Sequence, residues 1–153
     1  MTIPAKPLKR KLVASLLAAL LALTAAGQTV NESSAGAAAK RFAMALEGSN
    51  ASLLGELLPG QGKVRLKLRR LGPEDGSFSA RQVQTLLRDF FRQGSIESVS
   101  VERLDQETGT YALAQLHARG IDREGRPMEL RLHLSFQSED NRWTLREIRE
   151  TPP

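Results

Sequence analysis

Three polar side chains able to bind or move a proton lie at alternating positions of one segment: Tyr111, Gln115 and His117. Alternate residues of a β-strand share a face, so a strand from Tyr111 to Arg119 would place all three on one side of a sheet. Imidazole is a common general base near neutral pH, and a phenol or amide can donate a hydrogen bond to an oxyanion. These residue types therefore suggest a small polar pocket with His117 as general base.

The face that these side chains occupy depends on the next strand, Met128 to Gln137, in which apolar and polar residues alternate. A tight hairpin that pairs Ile121 with Arg126 would place His117 opposite Leu130, and directly paired residues share a face. We therefore expect the three polar side chains on the apolar, helix-facing side. A slip of one residue in register would turn them outward.

A second interpretation of the same residues needs no chemistry. Tyr111 would then be a core aromatic residue with its hydroxyl group reaching water, and Gln115 and His117 would lie at an open rim. Only two histidines and no cysteine are present, and neither histidine has a metal-ligand spacing with nearby carboxylates, so we expect no metal and no cofactor. The glycines before Lys63 do not form a phosphate-binding loop, because Leu57 and Val64 replace its Gly and its Ser or Thr.

A basic strand is the second candidate feature. From Lys63 to Arg69 the sequence alternates strictly, which places Arg65, Lys67 and Arg69 on one face of a half-buried strand. This face could bind an anionic surface. It could equally be a solvated face whose charge is offset across neighbouring strands by three acidic residues, Glu102, Glu129 and Glu150.

The N-terminal segment has the layout of a secretory signal peptide. Residues 1–11 carry four basic and no acidic side chains, and a Leu- and Ala-rich run follows from Leu12 to Ala26. That run is 15 residues long, shorter than the roughly 20 needed to span a bilayer, which argues against a retained membrane anchor. Ala25, Ala26 and Gly27 provide the small side chains of a cleavage region. No cysteine follows, so a bacterial lipoprotein is excluded.

Cleavage changes the charge of the chain. The 153 residues carry 22 basic and 17 acidic side chains, a formal net charge of +5. Loss of residues 1–27 removes four of the basic ones and leaves 18 against 17. The composition of a nearly neutral chain no longer supports nucleic-acid binding. We expect an exported protein, periplasmic or secreted, that contacts a membrane only through its signal segment before cleavage.

The remaining sequence predicts one α+β domain over residues 37–150, after a linker at 28–36. Helical spacing of apolar residues predicts a helix from Ala37 to Leu46, a short helix ending at Pro59, and a third helix that begins after Ser79 and ends near Gly94. One strand precedes the third helix. Four antiparallel strands follow it, in a meander.

Three segments in this order resemble the nuclear transport factor 2-like superfamily. They are the run from Phe42 to Leu54, the run from Phe78 to Phe91 with its small-residue start and aromatic end, and the terminal Asn141 to Ile148. The likeness covers nearly the whole mature chain and is greatest to small exported bacterial members of unknown function. It implies N-terminal helices packed on a curved antiparallel sheet, forming a cone with an internal pocket.

Members of that superfamily include isomerases, dehydratases, protein-binding adaptors and domains without known activity, so the fold does not decide the function. An isomerase of this fold would need a carboxylate base in the pocket, and the alternation of the strands places none there. We therefore expect a non-catalytic exported domain that binds a small ligand or a partner protein. The alternatives are an isomerase or dehydratase that uses His117 with Tyr111, and a structural homodimer formed through the charged sheet face.

Export makes a direct prediction about the N-terminus of the protein in its own cell. Because signal peptidase requires small side chains, intact-mass measurement should find a chain that begins at Gly27 or Gln28. The measurement should be made on the periplasmic or secreted fraction. Recovery of the uncleaved mass from the membrane fraction would contradict the prediction.

Overall fold

The computed structural model of the chain describes residues 34–71 and 75–152. The signal-peptide prediction and residues 28–33 of the predicted linker lie outside the described residues. Helix α1 begins at Ala35, two residues before the expected start of the domain, because the side chain of Ser34 caps it by accepting a hydrogen bond from the backbone N–H of Ala37 at 3.1 Å. None of the described helices is long and apolar enough to cross a membrane.

The described chain forms one six-stranded sheet and two α-helices, which confirms the predicted α+β fold class. Two short 3₁₀ helices cover Leu53–Leu57 and Arg69–Leu71. The helices and strands are α1 (Ala35–Glu47), β1 (Val64–Lys67), β2 (Gly76–Phe78), α2 (Ala80–Phe91), β3 (Gly94–Thr108), β4 (Tyr111–Asp122), β5 (Pro127–Glu139) and β6 (Arg142–Thr151).

The strand order is β2-β1-β6-β5-β4-β3, and it differs from the expected sheet in two ways. The chain crosses from β1 through α2 and the meander before β6 returns beside β1, so these two strands are parallel and the sheet is mixed. A further short strand, β2, follows the turn-rich segment and pairs antiparallel with β1. Three residues are too few for an alternation pattern to reveal such a strand.

The inner face of the sheet, defined as the face that packs against the helices, is apolar along every long strand. On β4 it carries only small residues and one leucine, and on β5 it carries large ones: Ala112, Ala114, Leu116 and Ala118 face Phe136, Leu134, Leu132 and Leu130 respectively. Phe42 of α1 and Leu87 and Phe90 of α2 belong to the same buried cluster. Small residues on one strand leave room for large ones on its neighbour and on the helices, so the interior is close-packed.

The β4–β5 register differs by one residue from the expected register. Ile121 pairs with Pro127 rather than with Arg126. The backbone N–H of Asp122 donates to the carbonyl oxygen of Arg126 at 2.9 Å, so the turn closes on a loop of three residues, 123–125, instead of the expected four. Gly125 closes this loop with φ of 77°, a left-handed conformation that glycine adopts without steric cost. Every odd-numbered residue of β4 therefore lies on the outer face of the sheet, opposite the helices.

A bulge changes the alternation of β6. Leu145 pairs with Phe136 and Glu147 pairs with Ser135, so Arg146 is one residue too many for its partner strand. Beyond the bulge the inner face is occupied by Ile148 and then by Glu150, which is paired with Leu132. A carboxylate is thereby brought to the apolar side of the sheet.

The start of β3 approaches β4 closely at a glycine. A Cβ atom on Gly120 would overlap the carbonyl oxygen of Ser95 and would lie 2.9 Å from Cα of Ile96. Because both are backbone atoms of a paired strand, Gly120→Ala should lower the free energy of unfolding by about 2–3 kcal/mol. Urea unfolding measures this change, and Gly109→Ala is the control, since its added Cβ would have no atom within 4 Å. Equal effects of the two substitutions would contradict the prediction.

Candidate functional site

Large buried side chains pack between the helices and the inner face. At the end of the domain where α2 finishes and the β4–β5 hairpin turns, called here the hairpin end, a small cavity has a volume of only about 10 Å³. It lies among Phe90, Phe91, Ile96 and Met128. Pockets for small molecules usually have volumes of roughly 300–1,000 Å³. This cavity is therefore too small to hold a substrate.

The three predicted pocket residues lie outside this interior. Tyr111 pairs with Gln137, Gln115 with His133, and His117 with Arg131, all on the outer face. Their placement on the helix-facing side was wrong because the three-residue hairpin loop shifts the register by one. The interpretation that puts Tyr111 in the core is wrong for the same reason.

His117 lies in a row with two carboxylates from the neighbouring strands. Its Nδ1 is 3.4 Å from Oε1 of Glu102, and its Nε2 is 3.7 Å from Oε2 of Glu129. The side chain of His117 is 13% exposed, whereas each glutamate is about half exposed. This arrangement can hold an imidazolium cation between two anions. Within the described residues, however, no group of three or more acidic or histidine side chains could hold a metal ion.

Glu150 and Arg70 form the polar contact on the inner side that sequence reasoning missed. Oε2 of Glu150 accepts a hydrogen bond from the backbone N–H of Arg69 at 2.9 Å, and Oε1 lies 4.0 Å from Nε of Arg70. The Glu150 side chain is only 9% exposed, and the guanidinium group of Arg70 also contacts the sulfur of Met128. Sequence reasoning assumed uninterrupted alternation along β6, and the bulge at Arg146 reverses it. A bulge leaves no reliable mark in a single sequence.

An open groove of about 600 Å³ at the hairpin end has Arg70 in its lining. Its lining comes from the end of α2, the segment after β1 and the β4–β5 loop, and seven of its eight residues are charged: Arg70, Asp89, Arg92, Gln93, Asp122, Arg123, Glu124 and Arg126. Gln93 joins two of these elements, since its Nε2 donates to the carbonyl oxygen of Arg70 at 3.1 Å. The groove therefore combines charges of both signs on a packed base.

Asp122 organises the loop side of the groove. Its carboxylate accepts hydrogen bonds from the backbone N–H groups of Arg126 at 2.9 Å and Glu124 at 3.0 Å, and from Nε of Arg126 at 2.7 Å. The backbone hydrogen bond from Arg126, together with that residue's guanidinium group, lowers the pKa of Asp122 below its usual value. The same pair raises the pKa of Arg126.

Three of the four arginines of the groove already have carboxylate partners: Arg70 with Glu150, Arg92 with Asp89, and Arg126 with Asp122 and Glu124. The Asp89–Arg92 pair has 3.6 Å between Oδ1 and Nη1. Arg123 differs, because its Nε donates to the carbonyl oxygen of Arg92 at 2.6 Å and no described carboxylate lies within 4.0 Å of it. Its terminal nitrogens can therefore receive an anionic group.

The predicted basic strand is shorter than expected. Arg65 and Lys67 are exposed on the outer face of β1, and Nζ of Lys67 lies 3.6 Å from Oδ2 of Asp75. Arg69 departs from the alternation because it begins the 3₁₀ helix, and its backbone N–H binds Glu150. Two of the three candidate residues thus remain on one surface.

The fold is shared with solved structures at low sequence identity. A DUF4783 family protein from Bacteroides uniformis has a TM-score of 0.63 and 15% identity over 74% of this chain and 95% of that chain. A hypothetical protein with a ketosteroid isomerase-like fold from Catenulispora acidiphila, in complex with trimethylamine, has a TM-score of 0.58 and 11% identity over 75% and 84% of the two chains. An LEH-like epoxide hydrolase from M. tuberculosis has a TM-score of 0.54 and 17% identity over 74% and 76%.

No protein-family model and no curated protein matches the chain. The structural similarities show that its described part has the nuclear transport factor 2-like fold, which confirms the resemblance drawn from the sequence at the level of the fold. Proteins of unknown function and proteins with hydrolase or isomerase-like descriptions share this fold, so the similarity leaves the function to the chemistry of the site.

The lowered pKa of Asp122 predicts a pH-dependent contribution to stability. A carboxyl group with a lowered pKa in the folded state stabilises the protein above its unfolded pKa of about 3.9, and this stabilisation disappears as the pH falls through the lower folded value. Asp122→Asn should therefore reduce stability near neutral pH, and the difference from wild type should shrink in strong acid. Urea unfolding across this pH range measures the difference. The control is Glu97→Gln, which should show no such trend. Glu97 is exposed, and no described basic side chain lies within 4.0 Å of its carboxylate.

Proposed function

We propose that this protein is an exported, non-catalytic domain that binds a small anionic ligand in the groove at the hairpin end. The observation that carries the proposal is a groove of about 600 Å³ whose Arg123 lacks a carboxylate partner among the described residues. The groove is within the volume range of ligand sites. Its arginine without a carboxylate partner is the reason that anion binding is assigned to it.

The groove can hold its ligand without rearranging. Asp122 and Arg126 are fixed by hydrogen bonds within the loop, and Arg123 is fixed to the end of α2 through the carbonyl oxygen of Arg92. Groups that are already in place lose little conformational freedom when a ligand binds. A carboxylate or phosphate group fits this arrangement, because a guanidinium group can donate two parallel hydrogen bonds to either one.

Two further considerations support the role of an exported binding domain. The basic N-terminus followed by a short apolar run favours export. The Catenulispora protein shares the fold and is described as a complex with trimethylamine, which supports small-molecule binding by a domain of this kind. The open groove disfavours catalysis, since enzymes of acid–base chemistry exclude water from the reacting groups.

Glu150 supports one alternative, an isomerase or dehydratase. Its carboxylate lies on the inner face of the sheet and is largely buried, as a general base in this fold would be. Its two oxygens are occupied by the backbone N–H of Arg69 and by the Arg70 guanidinium group, which favours a structural role. Turnover of a small carbonyl or epoxide substrate that is lost in Glu150→Gln would establish the alternative.

Ligand binding in the groove is tested with a panel of small carboxylates and phosphates by thermal unfolding. At ten times its dissociation constant a ligand should stabilise the protein by about 1.4 kcal/mol, a rise of about 5 °C in Tm. Arg123→Ala should abolish most of this rise. Arg88→Ala, which removes an exposed arginine of α2 outside the groove, should retain it. Absence of any stabilising compound, or an equal loss in both variants, would contradict the proposal.

A further inference from the structure

A row of positive charges crosses the outer face of the sheet, on strands that do not contribute to the groove. Lys67 of β1 pairs with Arg149 of β6, and Arg149 pairs with His133 of β5. Arg65 lies two residues from Lys67, and Arg131 two residues from His133, on the same face of their strands. The four residues Arg65, Lys67, Arg131 and Arg149, called here the cationic patch, are carried by three adjacent strands about 4.8 Å apart.

Most cations of the patch have no ion-pair partner in the described chain, and Lys67 and Arg149 are neighbours in the β1–β6 pairing. Within the described residues no carboxylate lies within 4.0 Å of the guanidinium groups of Arg65, Arg131 or Arg149. Glu147 is paired with Arg65 in the register and still forms no such contact, whereas Lys67 has Asp75 on its far side.

The other half of the same face is different, because its cations are paired. Arg103 binds Asp105 with 2.6 Å between Nε and Oδ2, Arg119 lies 3.5 Å from Glu129, and His117 lies beside the same Glu129. The two halves thus have similar residue types and different charge balance. Arg65, Arg149 and Arg131, on β1, β6 and β5, have no such partners in the described chain, and exposed cations without partners attract anions most strongly.

We propose that the cationic patch binds an extended acidic segment of another protein. This inference goes beyond the proposed function, since the patch and the groove have no residue in common. Side chains that share a face of an extended chain repeat every 6.6–6.8 Å or so, which is also the spacing of Arg65 and Lys67 along β1. A peptide laid along the strand can therefore place carboxylates at alternate positions over these two cations.

The surroundings of the patch favour an acidic polypeptide over a lipid surface. The large apolar side chains that are exposed in the described chain lie elsewhere: Met44, Leu53, Val101, Leu104 and Ile121. Peripheral membrane binding usually combines cations with apolar side chains that insert among the lipids. Arginine on a rigid strand is instead well suited to bidentate pairing with single carboxylates.

The test measures fluorescence anisotropy of a labelled peptide of alternating Glu and Ser, about eight residues long, with the purified protein. Binding should be detectable at about 50 mM salt and should weaken as salt is raised, because exposed charges are screened. Arg131→Gln/Arg149→Gln should weaken binding by about five- to tenfold. Both side chains are exposed and without ion pairs in the described chain, so circular dichroism should show an intact fold.

The matched control is Arg81→Gln/Arg88→Gln, which removes the same net charge from exposed positions on α2. It should change peptide binding less than about twofold. Four results would overturn the proposal: no peptide binding at low salt, equal weakening by both double variants, binding of phosphatidylglycerol vesicles instead of the peptide, or a dimer that dissociates only in the patch variant. Arg123→Ala should leave peptide binding unchanged, so failure of the groove proposal and failure of this one are distinguishable.

Discussion

The register of the β4–β5 hairpin determines which side chains the rest of the structure has to bury. With Gly125 closing a three-residue loop, the leucines and Phe136 of β5 share a face with the alanines of β4. A slip of one residue would expose the large side chains of one strand, at about 1.5–3 kcal/mol each, and would bury charged ones. No single hydrogen bond on the outer face, at about 1 kcal/mol, could compensate for such a loss. The register of the hairpin therefore determines which side chains form the inner face, and both helices pack against those side chains.

The packing at the hairpin end and the placement of Arg70 in the groove both follow from the pairing of these strands. Alanines on β4 allow the leucines of β5 and the aromatic residues of α2 to interdigitate, so little room remains at the hairpin end. The bulge at Arg146 then brings Glu150 to the edge of this apolar layer. A buried carboxylate needs partners, and the chain after β1 provides them as the N–H of Arg69 and the guanidinium group of Arg70. Glu150 thus helps to fix Arg70, which lines the groove.

Much of the fold could be predicted from the sequence, because its long elements have strong periodicity. The alternation of β5, the apolar stripe of α2 and the cap at Ser79 agree with the structure. The site could not be predicted in the same way, because it depends on two local features, each of which shifts the alternation by one residue. Loop length decided the face of His117, and a bulge decided the face of Glu150. Neither the loop length nor the bulge leaves a periodic signal in the sequence. Because side chains alternate along a strand, a register error of one residue moves every side chain of that strand to the opposite face.

Charge follows the same logic at the level of the whole sheet. The outer face can accept any polar residue without loss of burial, so burial does not explain how its charges are distributed. Arg103 and Arg119 of β3 and β4 have carboxylate partners, whereas Arg65, Arg149 and Arg131 of β1, β6 and β5 have none in the described chain. The formal net charge of +5 does not reveal this difference. The position of the charges on the sheet is therefore more informative than their sum.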